Sequence, residues 1–229
     1  MFPLVFRSRE SRRDFLDQLF KTGITTLPVI SVVSFFIGMI LALQVGLELR
    51  RFNQEIYLGA AVMISLIREM APFSCGLCLA SCVGSAIAAE IGTMKVNDEI
   101  DALKIMGISP LKFLAAPRLL ALCIMAPILA FYCIIIGTMG GGLVGATQLG
   151  VDFGQYISSA MSIAETKDLY VGLVKALVFG FTIGTVSISE GLGTKLGATG
   201  VGKATQRSVI VSFLLILMFG YMITRMCYQ

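Results

Sequence analysis

The chain has 229 residues, 56% of them hydrophobic and 14% charged, with a mean hydropathy of +0.87 and a formal net charge of +4. A water-soluble domain carries roughly a quarter charged residues, so an ordinary soluble protein is excluded and one all-α integral membrane domain is the simplest organisation. Histidine is absent and no Gly-x-Ser-x-Gly elbow occurs, which argues against Ser–His catalysis, a histidine metal site and a membrane-embedded hydrolase.

The first stretch, from Arg7 to Asp17, is polar and basic, without the compact apolar core and cleavage site of a removable signal peptide. Phe2, Val5, Phe6, Phe15, Leu16, Leu19 and Phe20 alternate with Arg and Asp. That spacing predicts an interfacial helix over residues 1–21, its basic face towards anionic headgroups.

Five apolar runs then reach the roughly 20 residues needed to cross a bilayer: residues 24–47, 57–89, 119–146, 169–189 and 208–228. The second is too long for one straight crossing. It contains Pro72, so a kink or break is expected near Arg68–Pro72. Arg68 and Glu69 lie there at membrane depth, where an ionisable group normally faces a cavity or a partner. Neighbours on a helix point about 100° apart, so the two do not simply pair with each other. Both a ligand site and a structural ion-pair network fit them. Cys75-x-x-Cys78 lies in the same span, with no histidine and no second cysteine pair beside it, and reads as small packing residues. In the third span, Gly137/Gly141 and Gly141/Gly145 form small-x-x-x-small pairs that let helices approach closely.

Between the second and third spans lies Glu90-Ile-Gly-Thr-Met-Lys-Val-Asn-Asp-Glu-Ile-Asp-Ala-Leu-Lys-Ile-Met-Gly-Ile-Ser-Pro110. It predicts a short helix over about 97–108. Asn97 is its N-cap, Asp98 and Glu99 fall in its first turn, Lys104 in its last turn and Gly107 at C′, and Pro110 stops the chain. Val96, Ile100, Leu103 and Met106 recur at helical spacing and give an apolar stripe. A loop that merely joined two spans would need no such helix, so this one is expected to dock a soluble partner. Near the fifth span, Gly197-Ala-Thr-Gly-Val-Gly-Lys-Ala204 approaches a phosphate-binding loop. Ala204 stands where the Mg²⁺-binding hydroxyl belongs, and the flanks are spans rather than a strand and crossover helix.

Basic residues orient the chain. With the N-terminus inside, only Arg50, Arg51, Lys167 and Arg225 fall outside, and Arg68 and Lys175 fall within spans, leaving twelve of the eighteen Lys and Arg on the cytoplasmic side. The C-terminus is then external. No basic cluster is interleaved with aromatics, which argues against nucleic acid as a partner.

The run from Glu90 to Pro110 resembles the signature of the MlaE/YrbE family of ABC-transporter permeases, about E-I-G-x-M-[KR]-x-x-[ED]-[QE]-[IL]-x-[AS]-[LM]-x-x-M-[GA]-[IV]-x-P. Ala116-Pro117-Arg118, F-I-G-M-I-L-A-L-Q ending at Gln44, L-I-R-E-M-A-P ending at Pro72 and A-T-G-V-G-K-A-T ending at Thr205 extend the likeness over most of the chain. The resemblance implies a permease subunit that moves phospholipid or a similar lipid, with ATP hydrolysed by a separate ATPase chain. It further implies a homodimer, an MCE-type partner outside, and a bacterial inner membrane or plastid inner envelope as the setting. It makes residues 97–108 the coupling helix, with Asn97, Asp98, Glu99, Ile100, Asp101, Leu103, Lys104, Met106 and Gly107 facing the ATPase. It also places Leu41, Gln44, Leu49, Phe52, Arg68 and Glu69 around bound lipid. No cofactor or metal is implied. The chain departs from the family at Ser81-Cys82-Val83-Gly84-Ser85, where G-R-x-G-[SA] is usual, so a basic residue is missing at Cys82. An ion-coupled carrier or channel built on Arg68, Glu69 and Lys175 is the rival reading.

Overall fold

The computed structural model describes residues 9–195 and 197–228, which are helical apart from short turns and linkers. Ten α-helices follow in chain order: α1 (Arg9–Gly23), α2 (Leu27–Arg51), α3 (Leu58–Ser65), α4 (Ala71–Leu79), α5 (Ser85–Val96), α6 (Glu99–Ile105), α7 (Ala116–Gln148), α8 (Phe153–Ile163), α9 (Thr166–Leu192) and α10 (Gly197–Tyr228). Among the described residues, five stretches are long and apolar enough to cross a membrane: Phe15–Arg51, Glu55–Val96, Leu111–Gln148, Thr166–Leu192 and Gly197–Tyr228. Each contains one of the five expected spans and extends it. Helix α1 occupies the segment expected to be interfacial from Arg9 on; the part of that expectation before Arg9 lies outside the described residues.

The second span does not break at Pro72. It is helical from Glu55 to Val96 and absorbs its surplus length in π-helical turns at Leu66–Met70 and Ala80–Gly84. A third π turn, Leu111–Ala115, leads into α7. The residues quoted around the near-match to a phosphate loop from Gly197 to Ala204 form the first turns of α10, and α9 precedes them instead of a strand.

Two compact units divide the chain. One is built from the segment up to Thr26, Gly76–Ala126 and Leu177–Phe219. There, small groups set the packing. Ser208 donates to the Ser187 hydroxyl at 2.9 Å, and a Cβ on Gly84 would lie 2.9 Å from that same Ser187 oxygen. Gly191 rests on Ile91, whose Cβ lies 2.8 Å from where a glycine Cβ would stand.

The other unit holds Leu27–Cys75, Pro127–Ala176 and the chain from Gly220 onward. Helix α2 buries a single seam, Ile30, Ser34, Gly38, Ala42 and Gly46, at every fourth residue. Phe36, Ile40, Leu43 and Leu47 on the same helix are apolar and exposed, as a lipid-facing surface should be. Within lipid no hydrophobic force presses helices together, so close packing of small residues does that work. A Cβ on Gly38 would collide with the backbone carbonyl of Gly137 on α7. The amphipathic α8, capped by Asp152 accepting from the Gln155 amide at 3.2 Å, lies along α3. Its Tyr156 is fully buried among Ala42, Leu58, Val62, Leu66, Val144, Leu149 and Val151.

Candidate functional site

The chemistry of the second unit gathers at the π turn Leu66–Met70. Proline has no amide hydrogen, and its ring crowds the carbonyl one turn earlier. Pro72 therefore leaves the Arg68 carbonyl in need of a donor. The Lys175 ammonium supplies it at 2.7 Å, reaching over from α9. Helix α9 comes this close because Gly172 has no side chain: a Cβ there would stand 2.5 Å from the Ile67 carbonyl.

The same ammonium bonds the Glu69 carboxylate at 2.8 Å and the Thr224 hydroxyl at 2.7 Å, and Thr224 also meets Glu69 Oε1 at 2.6 Å. One residue earlier, Arg68 Nη2 donates to Asp168 Oδ2 at 2.8 Å. Tyr228 donates to Asp168 Oδ1 at 2.7 Å, and its ring lies 4.5 Å from the Arg68 guanidinium carbon, a cation–π contact. Adjacent charges at a π turn are thus split between two neighbours, as their helical spacing requires. The Arg68 Nε is buried with no hydrogen-bond partner.

Exposure separates these groups into two ranks. Asp168 and Lys175 side chains are 4% and 1% exposed, while Arg68 and Glu69 are 38% and 42% exposed. The inner carboxylate and ammonium are counterions that hold the outer pair, and the outer pair keeps polar atoms free to meet something else. A buried charge survives only when paired and hydrogen-bonded, and each inner group is.

Sequence reading missed Asp168, Thr224 and Tyr228, and took Lys175 only as a possible ion-path residue. A signal existed. Asp168, Gly172 and Lys175 are four and three residues apart, one face of α9 over two turns. Thr224 and Tyr228 are one turn apart on α10 in the same way.

The four other candidate lipid contacts fall on α2 and just after it. Leu41 and Leu49 are half-buried against the apolar cluster around Tyr156, which includes Leu66. Gln44 and Phe52 are exposed, Phe52 at 72%.

In the first unit, the expected coupling helix is α6, seven residues long. Its N-cap is displaced from the expected position. Asn97 closes α5, and Asp98 occupies the cap of α6 in the left-handed conformation, with φ of 59° and no side-chain cap bond. Asn and Asp both tolerate that conformation, so a capping propensity could not choose between them. Gly107 has φ of 74°, as a C′ glycine should. The apolar stripe also changes character along its length. Ile100 is buried, Val96 and Leu103 are half-buried, and Met106 is 64% exposed beside Ile105 at 89%. With Ile108, Leu111 and Phe113 these make an exposed apolar ledge.

Asp101 anchors α6 to α5. It accepts from Lys104 at 2.7 Å and from Lys95 at 2.8 Å, and these bonds, that of Lys104 first, draw its carboxyl from 3.8 down to about 2. Since the folded value lies below the unfolded one, the anchor is complete above about pH 4 and is lost as pH falls towards 2. Protection of the α6 amides relative to their intrinsic exchange rates is expected to hold steady down to about pH 4 and then fall. Asp101→Asn should show lower protection above about pH 4, the two proteins converging as pH falls towards 2.

Cys82, the departure from the family pattern, is an exposed thiol on the π turn Ala80–Gly84. Cys75 and Cys78 are buried.

Residues 15–226 match the family model described as Permease MlaE. The chain is 42% identical over 214 residues to a probable ABC transporter permease protein of Rickettsia typhi, covering 93% of this chain and 83% of that one. It is 34% identical to the intermembrane phospholipid transport system permease protein MlaE of Haemophilus influenzae, over 98% of this chain and 87% of the other. It is 31% identical to the chloroplastic protein TRIGALACTOSYLDIACYLGLYCEROL 1 of Arabidopsis thaliana, over 95% of this chain and 62% of that protein.

Proposed function

The chain belongs to the MlaE permease family, and from that premise we propose that it is the membrane-spanning subunit of an ABC transporter that moves phospholipid between membranes. Phospholipid is carried over from the printed name of the Haemophilus relative. In this reading a second copy completes a homodimer, a separate ATPase docks on α6 and the ledge after it, and an MCE-type protein receives or delivers lipid on the far side. The N-terminus and α6 face the cytoplasm, the C-terminus faces outward, and the setting is a bacterial inner membrane or a plastid inner envelope.

The observation that carries the lipid site is the partly exposed Arg68–Glu69 pair backed by buried Asp168 and Lys175. A headgroup phosphate would meet the Arg68 guanidinium, whose spare donors suit an oxyanion. The half-buried Leu41 and Leu49 of α2, with the exposed Phe52 just after it, would receive acyl chains, and Gln44 would stand at their polar margin. Coupling and binding then reside on different segments, and variants should separate them. Arg68→Ala and Glu69→Ala are expected to lower co-purified phospholipid several-fold while the ATPase still co-purifies. Leu103→Asp with Met106→Asp should do the opposite: lipid retained, ATPase lost. Lipid extraction with mass spectrometry, beside quantitation of the ATPase, reads both. Full lipid and transport in the Arg68 and Glu69 variants, with lowered melting temperature only, would reduce the pair to a structural role.

A further inference from the structure

A second polar site lies in the other unit. A crevice of about 360 Å³ opens between α1 and the start of α7, lined by Asp17, Phe20, Lys21, Phe113, Leu114 and Arg118, among others. The π turn Leu111–Ala115 shapes one wall, turning Leu114 inward to 9% exposure and leaving Phe113 at 53%. Phe20 on the opposite wall is 56% exposed. The walls are therefore aromatic and open, and the floor is ionic.

Arg118 is the unusual member of that floor. Its side chain is only 9% exposed, and its ion pair is with Glu90, at 2.9 Å. Nη1 of the same guanidinium is buried and has no hydrogen-bond partner. Lys21 stands on the α1 side, 60% exposed, and reaches the same Glu90 at a looser 3.6 Å. Two cations thus share one carboxylate, and one keeps a donor unsatisfied. Among the described residues, Asp17 is the one acid that lines the crevice itself.

We propose that this crevice binds the phosphodiester of a bilayer glycerophospholipid, at a site separate from Arg68 and Glu69. The phosphate oxygens bond Lys21 and the unsatisfied Arg118 guanidinium, and the glycerol and proximal acyl carbons lie on Phe20 and Phe113. Charge-assisted bonds from two basic side chains are the chemistry that recognises a phosphate, and half-exposed phenylalanines beside them fit an amphiphile better than a free anion. The bound lipid tethers α1 to the first turns of α7.

The test uses the full-length purified chain in detergent, titrated with short-chain phosphatidylglycerol or with inorganic phosphate while melting temperature is followed. Phosphatidylglycerol is expected to raise the melting temperature saturably. Lys21→Gln and Arg118→Lys should each raise the half-saturating concentration about tenfold, the loss expected for one charge-assisted hydrogen bond. Lys21 is exposed enough that its variant will fold even if the Arg118 variant does not, and it then decides alone. In an Arg68→Ala background Lys21→Gln must still raise the half-saturating concentration about tenfold, which separates this site from the one proposed above. A wild-type response in Lys21→Gln, no response in the parent chain, or an equal shift with inorganic phosphate would overturn the proposal.

Discussion

Replacing Lys175 by methionine is expected to destabilise the protein by about 2–4 kcal/mol, on the scale of buried ion pairs and unsatisfied polar groups. The side chain is 1% exposed and holds the Arg68 carbonyl, Glu69 and Thr224 at once. Methionine fills similar volume but donates nothing, so the carbonyl freed by Pro72 is left bare. Glu69 is 42% exposed and recovers part of its solvation, which keeps the estimate below that for a fully buried pair. Glu69→Gln alone leaves the ammonium with two neutral acceptors and one amide oxygen, and should cost less. The double variant should be more stable than the two single losses added together. Melting curves of the four proteins in one detergent form that cycle, and strict additivity would mean that Lys175 and Glu69 are not coupled.

The second large effect belongs to Gly38. Its missing Cβ is occupied by the Gly137 carbonyl, a backbone atom that no rotamer change can move aside. Gly38→Leu should push α2 off α7 at a cost of about 3 kcal/mol or more, at the upper end of overpacking. Gly38→Ala should already be harmful, since the first added atom makes the clash. Gly107→Ala is the control: that position has φ of 74° with nothing within 4 Å of an added Cβ, so only conformational strain of about 1–2 kcal/mol is expected. Thermal unfolding of the three variants ranks them, and Gly38→Ala melting like the parent would show that α2 does not seat on Gly137.

The spans were legible because their signal is local. An apolar run of sufficient length is a property of consecutive residues, and so was the need for something unusual where Pro72 follows Arg68 and Glu69. What form that takes was not legible. A proline break and a π turn relieved by a lysine are alternatives that differ in tertiary partners, and Lys175 lies 107 residues from the carbonyl it bonds. Asp168 and Tyr228 were missed for the same reason: each is unremarkable in its own segment, and only docking of α9 and α10 on the π turn brings them together. The displaced cap at Asp98 failed differently. Two adjacent residues of nearly equal propensity compete there, and packing of Ile100 into the core selects the phase. Leu41, Gln44, Leu49 and Phe52 came from family resemblance alone, since nothing in their spacing distinguishes them from their neighbours in and just after α2.

The π turn at Leu66–Met70 has a consequence for heredity as well as for chemistry. Such a turn is a helix carrying one residue more than its α form requires. Deleting a single residue there would return the stretch to an α-helix and keep the segments on either side near their present phase, but the residues within the turn would be redistributed by about 100°. Arg68 and Glu69 would then face other neighbours, though most of the letters around them were unchanged. In this stretch a one-residue gap is a larger event than most substitutions, and chain length between Leu58 and Pro72 is itself an inherited trait of the site.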